Sequence, residues 1–232
     1  MRSPIVIAAV SIVLTFPISS QAADCLARAT KNVEQGHTRD AINALERGAR
    51  QDDERCQFVL AIWLLTGRDM PPDPKSGAKW LKAAAKDGLL IAQAILGTLY
   101  ASGVGVEQDD SAAAEWYRKA AEYGDPLGQA GYGAALFLGS GVEKNPLDGY
   151  VWTSLAAAQG NTEAQSFIAE MEQALTDEDL AEARTRIAEF SPKENPKVRP
   201  WRPLRLLDDP RNYSRRELVS PRGPSAPRPS RP

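Results

Sequence analysis

Three tryptophans recur at one spacing. Trp80, Trp116 and Trp152 stand 36 residues apart, as do Gly67, Gly103 and Gly139, and again Gly88, Gly124 and Gly160. A fixed period between 20 and 50 residues marks a chain built from stacked copies of one supersecondary unit, none of which can bury its apolar face alone. The text between the markers aligns as well: Gly103-Val104-Gly105-Val106-Glu107 with Gly139-Ser140-Gly141-Val142-Glu143, and Ala84-Ala85 with Ala120-Ala121 and Ala156-Ala157.

Each unit reads as helix, glycine loop, helix. In Ala92 to Ala101 the residues Ala92, Leu96, Gly97 and Tyr100 form one stripe at helical spacing. The following helix opens at the candidate caps Asp109-Asp110-Ser111 and carries Ala113, Trp116, Tyr117, Ala120 and Ala121. Gly97 and Ala120 let two helix backbones approach while the aromatic rings fill the space beside them. Gly103 and Gly124 fall where a helix ends in a left-handed turn. Run backwards, the register gives a degenerate unit in which Cys25, Cys56, Ala92 and Gly128 share one position of successive first helices. Run forwards, Ala164 continues the series, and Thr176-Asp177-Glu178-Asp179 starts a polar closing helix ending near Phe190. The expected fold is all-α, an α/α solenoid of about four to five helix-turn-helix repeats over residues 24–190.

The residues Ala92-Gln-Ala-Ile-Leu96-Gly97-Thr-Leu-Tyr100, then Gly103-Val-Gly105-Val106, then Ala113-Ala-Glu-Trp116-Tyr117-Arg-Lys119-Ala120-Ala121-Glu-Tyr-Gly124 resemble the Sel-like repeat (SLR), a relative of the tetratricopeptide repeat. Ala61 replaces the helix glycine, Asp69-Met70 the glycine-valine of the loop, and Thr153 the aromatic after Trp152. The resemblance implies an adaptor for other proteins, with secreted bacterial relatives acting in envelope signalling, polysaccharide export or host contact.

Either end of the chain departs from the repeats. Arg2, the apolar run Ile5 to Phe16, Pro17 and the small residues of Ser20-Gln21-Ala22 have the order of a secretory signal peptide over residues 1–23. A run of about 12 apolar residues is well short of the roughly 20 a membrane-spanning helix needs. The mature protein is therefore expected to be periplasmic or secreted. That oxidising setting makes a Cys25–Cys56 disulfide plausible, with two buried thiols as the alternative.

Residues 191–232 hold 11 Lys and Arg against 4 Asp and Glu, and ten of the 17 prolines, whereas residues 24–190 hold 16 against 26. This basic, proline-rich tail is expected to be largely disordered. Its island Val198 to Leu207 adds Trp201, Arg202, Leu204 and Arg205, apolar anchors among cations. The island suits docking on the acidic repeat body, or adhesion to anionic envelope polymers. A compartment poor in nucleic acid argues against nucleic-acid binding.

The partner groove is expected opposite the packed stripe of the first helices, at Phe58 and Ile62, Ile95 and Thr98, Ala134, and Phe167. Such a floor suits an extended peptide or amphipathic helix. The alternative is that tightly wound hairpins bury these side chains.

Signals for catalysis are weak. His37, the single histidine, falls between the first two helices. Ser76-x-x-Lys79 matches a motif of penicillin-recognising enzymes, but no S-D-N or K-T-G accompanies it. Asp52-Asp53, Asp109-Asp110 and Asp177 to Asp179 stand at helix starts, where carboxylates complement the dipole. One histidine and two cysteines are too few for a tetrahedral zinc site. No metal, no cofactor and no enzyme activity are expected. The alternatives are a peptidoglycan- or β-lactam-directed hydrolase built on the repeats and an envelope-adhering structural protein.

Overall fold

The structure, a computed structural model, describes residues 20–67 and 71–194. Among them the chain forms ten helices and no strand: α1 (Ser20–Glu34), α2 (Thr38–Ala49), α3 (Glu54–Thr66), α4 (Pro74–Lys86), α5 (Leu90–Ser102), α6 (Asp110–Glu122), α7 (Pro126–Leu138), α8 (Pro146–Ala158), α9 (Thr162–Glu172) and α10 (Asp177–Glu189). Neighbours in sequence pack on each other from α1 through α9, and the first helices also touch, α1 on α3, α5 on α7 and α7 on α9. This is an α/α solenoid. No helix among the described residues is long and apolar enough to cross a membrane.

Local chemistry repeats with the period. The second helices α4, α6 and α8 start behind Asp73, Asp109 and Asn145, whose side chains accept the N–H of Ser76, Ala112 and Asp148 at 2.9–3.0 Å. Each such cap contributes about 1 kcal/mol. The first helices α3, α5 and α7 end on Gly67, Gly103 and Gly139 in the left-handed conformation, so the chain reverses there without a Cβ clash.

One further series holds adjacent units together. Gln57, Gln93, Gln129 and Gln165, again 36 apart, donate from Nε2 to the carbonyls of Ala49, Ala85, Ala121 and Ala157 at 3.0–3.5 Å. These carbonyls lie at or close to the C-terminal end of the preceding helix, where intrahelical donors run out. Each of these carbonyls also accepts the backbone N–H of the residue three places on, at 2.9–3.3 Å, so the glutamine is a second donor that ties the following helix to the turn.

The aromatic packing follows the small residues. A Cβ built on Gly97 of α5 would come within 2.7 Å of the Tyr117 ring of α6, and one on Gly131 of α7 within 2.5 Å. Tyr117 thus fills a slot that two glycines leave open.

The last pair breaks the pattern. α10 packs on α8, with Met171 and Ala183 buried beside Tyr150 and Val151. Arg186 bonds Asp148 of α8 as well as Glu182 of its own helix. The start of α10 is a capping box between Thr176 and Asp179, and its first turn carries Asp177, Glu178 and Asp179. This polar helix closes the stack as a solenoid end requires.

Candidate interaction surface

The expected groove is not open where the first helices were to supply it. Phe58, Ile62, Ile95 and Thr98 are all buried. The physical reason lies in the composition of α3 and α5, which are apolar on every side and are therefore enclosed by neighbours rather than half exposed. Thr98 accepts a hydrogen bond from the Tyr117 hydroxyl at 3.1 Å. Ala134 is half-buried. Phe167 is half-buried too and packs edge to face on Phe137, ring centroids 5.5 Å apart.

Surface chemistry gathers instead where the chain returns from α10. Phe190 leaves the helix in an extended conformation and packs edge to face on Trp152 of α8 at 5.3 Å. Trp152 in turn packs on Tyr132 of α7 at 5.8 Å. Two residues on, Pro192 lies against the Gly124 turn, where a Cβ would stand 3.1 Å from its Cγ. The Lys193 N–H then donates to the Glu122 carbonyl at 2.9 Å, and its Nζ to Glu122 Oε2 at 2.6 Å. The other Glu122 oxygen accepts from Arg118 at 3.0 Å. Phe190 to Lys193 therefore form a strap that runs from the third repeat towards the second. The ring contact and the backbone bond each contribute about 1 kcal/mol and the exposed ion pair less, so the strap is held lightly.

The strap's surroundings are apolar and polar in turn. A hollow of about 380 Å³ is lined by Tyr132 together with Leu136, Val142, Glu143, Lys144 and Asn145. Leu138, at the end of the same helix, is 61% exposed. Asp125, next to Gly124, caps α7 by accepting the Gly128 N–H at 2.8 Å. Burial pushes its carboxyl up to about 6, against the lowering effect of its bonds from Gly128 and Leu127.

At the other end, Cys25 and Cys56 stand at disulfide distance, their Cα atoms 6.8 Å apart. Gly48 of α2 makes room for them, since a Cβ there would meet Cys25 Sγ at 2.5 Å and Cys56 Sγ at 2.9 Å. Asp53 is buried beside them and caps α3 through the N–H groups of Arg55 and Cys56. Cys25, Asp53 and Cys56 bring three donor atoms within 4.8 Å of one another. A bonded disulfide offers no thiolate, and three donors fall one short of a structural zinc shell.

The residues considered for catalysis serve helices. His37 occupies the N-cap position of α2, where its carbonyl accepts from Asp40 and Ala41. Ser76 bonds Asp73 through backbone and side chain, holding that carboxyl below its usual range. Asp53 and Asp109 are caps, and Asp177 to Asp179 fill the first turn of α10. Residues 1–19 of the expected signal peptide, and Trp201, Arg202, Leu204 and Arg205 of the tail, lie outside the described residues.

The Sel1 repeat family matches residues 54–89, 90–125 and 126–161, each match beginning at the start of a first helix. A Sel1 repeat protein from Oxalobacter formigenes, known from its crystal structure, superimposes with a TM-score of 0.60 at 26% identity, over 68% of this chain and 67% of that one. A protective antigen of uropathogenic Escherichia coli strains displaying an SLR fold is 22% identical, over 72% of this chain and 44% of its own, with a TM-score of 0.45. None of the curated proteins matches. Residues 54–161 are thus three tandem Sel1 repeats on one continuous stack, repeats of a family whose members generally mediate protein–protein interaction.

Proposed function

We propose that this protein is a periplasmic or secreted adaptor that binds a protein or peptide partner and so regulates or scaffolds an assembly of the cell envelope. The observation that carries the interaction role is the uninterrupted stack of Sel1 repeats, a family typically non-enzymatic. The location is supported by the signal-like order of Arg2, Ile5 to Phe16 and Ser20-Gln21-Ala22. The Cys25–Cys56 pairing fits an oxidising compartment as well.

The tail extends the same reading. Its basic segment around Trp201, Arg202, Leu204 and Arg205 docks on the acidic body and yields to a partner, an attraction that weakens as salt rises. A tagged full-length chain, fractionated and cross-linked in its host, tests the whole. The expected result is recovery from the envelope fraction, oxidised, joined to a partner whose own tagged form captures this chain in return. Recovery from the cytoplasm, or no reciprocal capture, contradicts it.

A further inference from the structure

Three of the strap's four residues make contacts on two different repeats. Phe190 meets Trp152, Pro192 the Gly124 turn, and Lys193 both the carbonyl and the carboxylate of Glu122. Ser191 faces solvent. Phe190 and Pro192 thus meet the repeats with Ser191 turned out between them, the alternation of an extended segment, while Lys193 adds a main-chain bond and an exposed ion pair. The equivalent turn one period later carries nothing, since a Cβ on Gly160 would meet no atom within 4 Å.

We propose that Trp152, Gly124 and Glu122 form a docking track for an extended partner segment of the pattern aromatic-x-Pro-Lys, and that Phe190 to Lys193 is its tethered occupant, displaced when the partner binds. The assignment rests on the adaptor reading above and names the chemistry of its partner. A tethered occupant has an effective concentration in the millimolar range, so a partner must make contacts the strap does not. The hollow beside Tyr132 supplies them, since no strap residue lines it. The strap is built to leave: Pro192 and Lys193 are exposed, Lys193 by 60% at its side chain. Glu122 keeps Arg118 as a partner when Lys193 departs.

The test uses the full chain and a fluorescent peptide carrying residues 188–196, read by anisotropy. Phe190→Ala with Lys193→Glu unseats the strap, and Lys193→Glu alone does so with one exposed change should the double variant lose helicity. The unseated chain is expected to bind the peptide at least tenfold more tightly than the wild type. Adding Glu122→Lys should remove that gain, and a peptide with Glu in place of its Lys should recover part of it. Equal affinity for seated and unseated chains, no binding to either, or concentration-dependent dimerisation by strap exchange would overturn the proposal. If envelope capture persists while the peptide fails, the adaptor reading stands and its site lies elsewhere.

Discussion

The Tyr117 hydroxyl donates to Thr98 Oγ1 at 3.1 Å, across the interface between the two helices of the second repeat. Thr98 passes the bond on to the Ala94 carbonyl at 3.4 Å. The ring that carries this hydroxyl sits against Gly97 and Gly131, so one side chain joins three helices and two repeats.

Removing the hydroxyl with Tyr117→Phe should therefore destabilise the fold by about 1 kcal/mol. Gly131→Ala should do more, about 1–3 kcal/mol, because its methyl would enter the ring. Chemical denaturation of the two variants checks the order, and a Gly131→Ala chain as stable as the wild type would contradict the slot.

Gly48 stands where later repeats carry Ala84, Ala120 and Ala156, and the sulfurs of Cys25 and Cys56 occupy the room a methyl would need. Gly48→Ala should lower stability by about 1–3 kcal/mol in the wild type. In a chain with Cys25→Gly and Cys56→Ala the same change should be tolerated, since both sulfurs and the Cys25 Cβ, which would stand 2.6 Å from the new methyl, are then gone. Losing the cross-link itself should cost about 3–4 kcal/mol by the loop-entropy argument. Melting curves of the four combinations measure the coupling, and strict additivity would rule out the steric account.

Asp125 gives stability a pH dependence of known sign. Its carboxyl is raised in the folded state to about 6, so the native form takes up a proton more readily than the unfolded chain. The favourable contribution is full below about pH 4 and is lost as pH rises through about 6. Asp125→Asn keeps an acceptor for the Gly128 N–H without the buried charge, as Asn161 does one period later. The variant should match the wild type near pH 4 and exceed it by about 2 kcal/mol at pH 7.5. Thermal unfolding across that range reads the difference, and a constant offset would exclude Asp125 as its source.

Gly124 has φ +85° and carries Pro192 against it. Gly124→Val should destabilise by about 1–3 kcal/mol through backbone strain, and it should also unseat Lys193. An unchanged melting temperature would count against both roles.

The tryptophan and glycine triplets made the repeat legible because each performs one job at one position of every unit. The glutamine series obeys the same spacing and was equally readable; Gln57, Gln93, Gln129 and Gln165 escape notice because polar residues in a helix are ordinarily taken as solvent-facing. The groove was misplaced for a related reason. Ile95 lies opposite the packed stripe of α5, and an amphipathic helix would expose it, but Leu90 to Tyr100 has no polar face and is enclosed on all sides. Ile95→Glu would thus disrupt the core rather than probe a groove. The strap was hidden because Pro192 and Lys193 read as the first residues of a proline-rich tail. Neither carries a period, and only the fold brings Glu122 within reach.

Amide hydrogen exchange of the full chain, followed at single residues, tests most directly whether the repeat stack holds its own C-terminal segment. The Lys193 amide, bonded to the Glu122 carbonyl at 2.9 Å, should exchange more slowly than unstructured chain and lose that protection in Phe190→Ala, while the α5 amides stay protected. Exchange at Lys193 as fast as in a free peptide would contradict the strap, and uniformly fast exchange through α5 would contradict the stack itself.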